Sequence, residues 1–167
     1  MTRLGLICAA ALLASSAQAQ DLVFSSTEME TCLSGAEDHQ ARNACIGQAA
    51  EQCMETTPGG YSTMGMGGCL WREAEYWDAR LNAAYKALMA DAIAMDEEMK
   101  SYGSSAPKQA PALREMQRAW IPFRDRKCDY VRSQWGGGTG GGPAGASCHL
   151  YTTAEQALFL EASGLGG

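Results

Sequence analysis

Cysteine is the residue type whose number and spacing predict the most definite chemistry in this sequence. The chain has seven cysteines, and Cys8 lies in an N-terminal segment that we expect to be removed on export. An even number then remains, which in an exported chain predicts disulfide bonds and no cofactor. A zinc site would require closely spaced cysteine pairs, and none is present. The remaining cysteines are Cys32, Cys45, Cys53, Cys69, Cys128 and Cys148.

The helices predicted around these cysteines restrict their pairing. Cys45 and Cys53 lie on one predicted helix, where a rise of about 1.5 Å per residue separates their α-carbons by about 12 Å, too far for a disulfide. Cys53 ends that helix and Cys69 begins the next, so a bridge between them would close the turn at Thr57–Gly60. The predicted pairs are Cys32–Cys45, Cys53–Cys69 and Cys128–Cys148.

The histidines do not suggest catalysis. His39 and His149 are the only two, and neither belongs to a metal-binding or nucleophile motif. Cys148 precedes His149, but a cysteine in a disulfide cannot supply a thiolate. The glycine run at 136–145 lacks the Gly-Lys-Ser/Thr ending of a phosphate-binding loop and follows no predicted strand. We therefore predict that the protein is not an enzyme.

Three other groups of residues could bind a protein partner. An acidic cluster could meet a cationic partner, although such a run is commonly only a solvated helix face. A glycine-rich loop could insert into a partner's cleft or merely connect two helices. Polar residues beside an apolar helix stripe could form a partly buried network that fixes helix register or contributes to binding. The acidic cluster is Asp96, Glu97 and Glu98, the loop residues are Gly137, Gly138, Thr139 and Gly140, and the network is Asp78, Asn82, Arg118, Arg124 and Asp125.

The first residues have the features of an export signal. A positive charge precedes an apolar run at residues 4–14, and Ala17-Gln18-Ala19 is a small-residue cleavage site. The run is too short to span a bilayer, and Cys8 is not preceded by the small residues of a lipid-attachment site. We expect removal of residues 1–19 and a mature periplasmic or secreted protein that starts at Gln20.

The composition is acidic and points to a protein partner. The formal net charge is −6, and removal of the signal deletes Arg3 but no acidic residue, which makes it −7. An acidic protein repels nucleic acids and anionic lipids and attracts basic proteins. We predict neither nucleic-acid binding nor membrane insertion, and the sequence leaves the oligomeric state open.

Short helices are predicted before residue 69. Ser25-Ser26-Thr27 with Glu30 is typical of a capped helix start, and Ser34-Gly35 would end that helix. Apolar residues at every fourth position predict a second helix over 38–54. Residues 61–68 are predicted to form a loop.

Two long amphipathic helices follow. An apolar stripe over residues 70–99 predicts the first helix. A stripe from Leu113 to Trp135, which passes through either Phe123 or Arg124, predicts the second, kinked at Pro122. Gly103–Pro107 separates them, so we expect an antiparallel hairpin. We interpret its large side chains as an inward-facing stripe rather than a recognition surface; they include Trp77, Leu81, Tyr85, Trp120 and Phe123.

The C-terminal part is predicted to be a loop and a short helix. Seven of the ten residues at 136–145 are glycine, which disfavours regular structure. Thr152 and Glu155 are spaced as a capping box for a final helix that ends at Gly164. The sequence therefore predicts an all-α, disulfide-linked fold, with the segment 20–68 and the domain 69–167 in one compact unit.

Motifs in the long helices resemble the lysozyme inhibitor LprI-like family. They are Trp77-Asp78-x-x-Leu81-Asn82-x-x-Tyr85, Gln117-Arg118-x-Trp120-Ile121-x-Phe123-Arg124-Asp125 and the glycine run between Cys128 and Cys148. The resemblance covers residues 69–162 and implies an exported α-helical bacterial domain. The family is named after a mycobacterial lipoprotein that inhibits lysozyme. This chain differs in having no lipid-attachment cysteine and in adding the cysteines before Cys69.

The resemblance and the acidic charge together predict an inhibitor of lysozyme or a related cell-wall hydrolase. It would occlude the hydrolase's cleft with its acidic and loop residues. The alternative is a periplasmic structural or adaptor module that binds an envelope protein without inhibiting it. A third interpretation, an unrecognised hydrolase, would require a polar catalytic site.

Overall fold

The chain folds into α-helices, as the sequence predicted. A computed structural model describes residues 21–164, and within this range there are six helices and no strand. The predicted signal peptide and its cleavage site lie outside the described residues. No helix within that range is long and apolar enough to cross a membrane. The helices are α1 (Thr27–Gly35), α2 (His39–Asn43), α3 (Gln48–Thr56), α4 (Thr63–Ser101), α5 (Gln109–Ser133) and α6 (Gly141–Ala162).

The long helices α4 and α5 form the predicted antiparallel hairpin, and α6 packs along α4. Trp77 and Leu81 on α4 are buried against Leu150 and Leu158 of α6 in one apolar core. The short N-terminal helices close that core, since Met29 and Cys45 belong to it. The end of α6 reaches α4 as far as Asp91, with which Leu160 and Glu161 share a cavity, and beyond this point Asp96 of α4 accepts hydrogen bonds from the start of α5. The hairpin tip therefore projects from the core as two paired helices.

The glycine-rich segment is shorter than predicted, because α6 begins at Gly141. The prediction of a loop to residue 145, with a new helix capped at Thr152, was wrong. Gly141 and Gly145 are buried, and a Cβ on either would lie 3.4–3.7 Å from Arg132 atoms. Close packing of α6 on α5 thus offsets the low helix propensity of glycine. Thr152 lies buried inside α6.

Two other boundaries differ from the prediction. The helix expected over 38–54 is interrupted before Gly47, whose φ of 95° lies in the left-handed region. A Cβ at Gly47 would lie 2.5 Å from the Tyr151 hydroxyl, so the site favours glycine. The loop predicted over 61–68 is mostly helix, since α4 begins at Thr63 with the Ser62 side chain accepting from the Gly65 backbone.

Three disulfides connect the helices in the pairing that the sequence favoured. Cys32–Cys45 connects α1 to the turn after α2, Cys53–Cys69 connects α3 to α4, and Cys128–Cys148 connects α5 to α6. Their α-carbon separations are 5.7, 5.6 and 5.4 Å, within the ordinary disulfide range. Each bridge joins segments that the apolar core also brings together.

The inward stripe of α5 was only partly predicted. Trp120 packs against the core, but Phe123 is 60% exposed and does not belong to the stripe. Of the two alternatives, the stripe passes through Arg124 and then Cys128, each four residues beyond the last. Trp135 is exposed as well, because α5 ends at residue 133 and the helical spacing no longer applies. The helix continues through Pro122.

Candidate binding groove

A groove of about 530 Å³ runs along α4 beside α5 and α6. One face of α4 contributes four side chains spaced at intervals of four, three and four residues, namely Trp71, Glu75, Asp78 and Asn82. Small alanines and a threonine form the rest of the α4 and α6 walls. The lining residues are Trp71, Ala74, Glu75, Asp78, Ala79, Asn82, Arg124, His149 and Thr153. The groove thus combines aromatic, carboxylate, amide and guanidinium groups.

Four of the five predicted network residues meet in or beside this groove. Asn82 donates to the Asp78 carboxylate at 2.9 Å, and an Arg124 nitrogen lies 3.7 Å from Asp78. Arg124 also donates to Asp125 at 2.9 and 3.0 Å. Its guanidinium lies 5.1 Å from the centre of the Trp120 ring, a cation–π distance. The Arg124 side chain, which is only 19% exposed, therefore connects α5 to α4 in this network.

Arg118 is not part of that hydrogen-bonded network. It donates to Glu115 at 3.3 Å on the outer face of α5. Both side chains are well exposed, so the pair contributes little to stability. Arg118 instead lines a second cavity of about 390 Å³ beside Asn82 and Tyr85.

His149 of α6 and Trp71 of α4 pack together at one end of the groove. Their ring centres are 5.0 Å apart with planes tilted by 34°, and Trp71 remains 46% exposed. Burial lowers the pKa of His149 below its usual 6.5, and the positive charge of Arg124 lowers it further, while Asp125 and Asp129 act in the opposite direction. The imidazole is therefore neutral at pH 7 and adds no positive charge to the groove.

We expect the His149 ring to titrate below pH 6.5 in the folded protein. Because the folded pKa is below the unfolded one, this group favours the folded state above pH about 6.5 and loses that contribution as the pH falls through this value. NMR titration of the imidazole signals would measure the pKa. Replacement Arg124→Gln should raise it, whereas a wild-type pKa at or above 6.5 would contradict this description of the site.

The acidic cluster on α4 divides into one structural residue and two exposed ones. The Asp96 carboxylate accepts from the backbone nitrogens of Gln109 and Ala110 at 2.7 and 3.0 Å. It therefore caps the start of α5 from the neighbouring helix. Glu97 pairs only with exposed Lys100 at 3.4 Å, and Glu98 is exposed. A partner could meet Glu97 and Glu98 without disturbing the fold.

Replacement of Asp96 by alanine should destabilise the fold by about 1 kcal/mol, the usual cost of losing a helix cap. The expected cause is the loss of both acceptors at the first turn of α5. Urea unfolding would measure the change, with Glu97→Ala as the matched exposed control. Equal losses in the two variants would show that Asp96 acts only as surface charge.

The glycine loop is a short, folded turn between α5 and α6. Gly136 and Gly137 adopt positive φ angles of 54° and 84°, which glycine tolerates best. Gly140 packs on Trp135, since a Cβ there would lie 2.2 Å from the ring. Gly137, Gly138 and Thr139 line a cavity of about 520 Å³ at this end of the molecule.

The acidic cluster and the glycine loop are too far apart to form one surface. Asp96 of α4 contacts Gln109, the first residue of α5, whereas the glycine loop follows the last residue of α5. At about 1.5 Å per residue, the 25 residues of α5 separate them by roughly 36 Å. The groove lies between these two ends, beside Arg124.

The most deeply buried acidic residue was missed by the sequence analysis. Glu73 accepts from the backbone nitrogens of Gly47 and Ala50 at 2.7 Å each and from the Trp77 indole at 3.0 Å. It therefore caps the start of α3 from within α4. Its position four residues before Trp77, on the inward stripe, was the available signal, because a carboxylate there must find donors.

A partly buried carboxylate connects three helices. Glu161 of α6 forms salt bridges with Arg42, at 2.6 Å, and with Arg80 of α4. The hydrogen bond to Glu161 raises the pKa of Arg80, which stays positively charged. Arg80 also lies 5.4 Å from the Trp77 ring centre. These contacts position α2 against the core. Within residues 21–164, no group of three histidine, cysteine or acidic side chains is arranged to hold a metal ion.

The arrangement of two long helices, cysteines and a glycine turn agrees with a known family. The sequence model described as "Lysozyme inhibitor LprI" matches residues 53–160, well over half of the chain. The protein belongs to the LprI family. The match includes Cys53, Cys69, Cys128 and Cys148, and it confirms the resemblance seen in the sequence. The family and the three disulfides together indicate an extracytoplasmic protein.

The relatives are named but uncharacterized. A Rhodobacter capsulatus protein, "Uncharacterized 17.7 kDa protein in puhA 5'region", is 28% identical over 136 residues, covering 81% of this chain and 83% of its own. A Rhizobium meliloti protein is 31% identical over 47% of this chain and 56% of its own. The Escherichia coli protein YecT is 36% identical over 39% of each chain. No solved structure matches this chain.

Proposed function

We propose that this protein binds and inhibits lysozyme or a related cell-wall hydrolase. The observation that carries the proposal is membership of a family described as lysozyme inhibitors, across residues 53–160. The described structure supports a binding role because aromatic, carboxylate, amide and guanidinium groups line a groove beside the hairpin of α4 and α5. The buried Glu73 and the partly buried Glu161 have structural roles, and in this proposal the protein performs no catalysis.

The acidic charge supports a basic hydrolase as the target. A formal charge of −6 would steer a cationic enzyme toward this surface, and salt would screen the attraction. In this proposal Glu97 and Glu98 contribute to steering, and the residues Gly137–Gly140 form a separate contact. Asp96 adds to this negative charge, while each of its carboxylate oxygens also accepts a hydrogen bond from the start of α5.

The proposed place of action is the bacterial periplasm or the exterior. Three disulfides require an oxidising compartment. We propose cleavage after Ala19, which would release a mature chain without a lipid anchor. Mass spectrometry of the protein recovered from a periplasmic extract would identify the mature N-terminus.

Complex formation tests the proposal directly. The oxidised mature protein would be titrated with a basic c-type lysozyme by calorimetry, at low and at moderate salt. We expect a 1:1 complex whose affinity falls as the salt concentration rises, because charge steering is screened. The absence of binding at every salt concentration would reject this class of target and favour an adaptor that binds an envelope protein.

A further inference from the structure

The groove between α4, α5 and α6 has the features of a receptor for a long cationic side chain. We propose that it receives a lysine or arginine side chain from the partner protein. This inference rests on the proposed function, and it names the group that the partner would supply. Three independent properties of the groove support it: its shape, its charge and its rigidity.

The shape suits a side chain with a long apolar stem. Ala74 and Ala79 leave space along the α4 wall, and the volume is about 530 Å³. Trp71 presents an aromatic surface at one end, with 46% of the residue exposed. Lysine and arginine bury their methylene groups on such apolar walls while the charged group stays in polar surroundings. An aromatic ring also attracts a nearby cation.

The charge of the groove favours a cation. Glu75 and Asp78 lie on the same face of α4, and their side chains are 64% and 52% exposed. The one lining cation, Arg124, is shared between Asp125, at 2.9 Å, the Trp120 ring and the more distant Asp78, at 3.7 Å. Exposed Arg72 is the partner of Glu75, at 3.2 Å, and such a surface pair exchanges readily.

Charged groups beside the groove add to its negative charge. Asp125 and Asp129 lie close enough to influence the His149 ring, so further negative charge surrounds the α6 end. Lys127 is directed to the Thr152 hydroxyl, at 3.0 Å. With the imidazole neutral at pH 7, carboxylates exceed cations around the groove. An incoming ammonium or guanidinium group would displace exposed Arg72 from Glu75 and would join Asn82 and Arg124 as a further partner of Asp78.

The groove is also rigid, which lowers the entropic cost of binding. Cys128–Cys148 connects its α5 and α6 walls, and His149 directly follows one of these cysteines. Thr153 is buried on α6, and the Asp78–Arg124 contact connects α4 to α5. The acceptors are therefore positioned before a partner arrives.

A small cationic probe tests the inference without a hydrolase. The oxidised mature protein, labelled with ¹⁵N, would be titrated with a triarginine peptide while amide and indole signals are followed. We expect saturable shifts centred on Trp71, Asp78 and His149. Replacement Asp78→Asn should weaken binding about fivefold, the effect of one partly exposed ion pair. The matched control Glu97→Gln, on the hairpin tip, should weaken binding much less, because Glu97 contributes only long-range attraction.

Different outcomes separate this inference from the proposed function. Shifts centred on Glu97 and Glu98, or equal weakening by Asp78→Asn and Glu97→Gln, would overturn it in favour of diffuse charge attraction. Saturable binding of a chitotetraose probe at Trp71, without triarginine binding, would overturn it in favour of a glycan site. If Glu75→Gln and Asp78→Asn leave lysozyme binding intact, the inference fails although the proposed function stands. Triarginine binding in the groove without lysozyme binding would support the inference and reject lysozyme as the target.

Discussion

Replacement of Glu73 by glutamine should lower the free energy of unfolding by about 3 kcal/mol, although the two side chains have nearly the same shape. In the folded protein both Glu73 oxygens accept N–H groups, from Gly47, Ala50 and Trp77. Glutamine replaces one of those oxygens with an NH₂ group, so one buried donor would face another. Urea unfolding followed by far-ultraviolet circular dichroism measures the loss.

Glu75→Gln is the matched control for this prediction. Glu75 lies two residues further along α4 with an exposed side chain, so its replacement should change stability by no more than about 0.5 kcal/mol. The accompanying loss of the α3 cap in Glu73→Gln should also increase amide hydrogen exchange at Gly47 and Ala50. Equal stability of the two variants would contradict the capping role of Glu73.

The double replacement of Cys128 and Cys148 by alanine should cost about 3 kcal/mol. The bridge closes a segment with a sequence separation of 20 residues, and a loop of that size restricts the unfolded chain by about this amount. The segment includes the glycine turn, whose many backbone states make the restriction important. Thermal and urea unfolding of the oxidised proteins measure the difference.

The Cys32–Cys45 bridge provides the control for that experiment. Its sequence separation is 13 residues, so its removal should cost nearly as much stability. Only the Cys128–Cys148 variant should also shift the NMR signals of His149 and Trp71, because Cys148 adjoins the groove. If both double variants disturb those signals equally, the bridge has no particular role in positioning the groove.

Helix periodicity predicted the centre of this fold well. The three- and four-residue spacing around Trp77 and Leu81 identified the α4 stripe, and both residues are buried in the core. The pairing of Cys53 with Cys69 followed from the turn between two helices. These features could be predicted because they depend on local spacing and on which helix face is apolar.

The helix boundaries depended on contacts that the sequence does not display. Gly141 and Gly145 lie in a helix despite the low helix propensity of glycine, because both are buried where α6 packs on α5. The break before Gly47 depends on Glu73 from a distant helix, which caps α3. Local propensity is too weak to predict either feature when tertiary packing opposes it.

The candidate site was predicted in part. The association of Asp78, Asn82 and Arg124 followed from their positions beside the apolar stripe, and the structure brings them together. Their combination with Trp71 and His149 was not foreseen, because the latter lies in a stretch predicted to be outside any helix. The role of Asp96 as a cap was also missed, since its partners lie across the interhelical connection.

We propose that this protein inhibits a lysozyme-type hydrolase. The most direct test of this proposal is the lysis of a peptidoglycan suspension by a basic c-type lysozyme, with and without the oxidised mature protein. Cleavage of a small soluble glycan substrate would be followed in parallel, so that sequestration of the suspension can be distinguished from inhibition.

We expect the protein to protect the peptidoglycan suspension in a dose-dependent way, nearly completely at equimolar amounts. Cleavage of the soluble substrate should be inhibited as well, and both effects should weaken at higher salt. Asp78→Asn should protect less than Glu97→Gln does. Unchanged lysis at a large molar excess of the protein, in low salt, would contradict the inhibitor proposal for this enzyme.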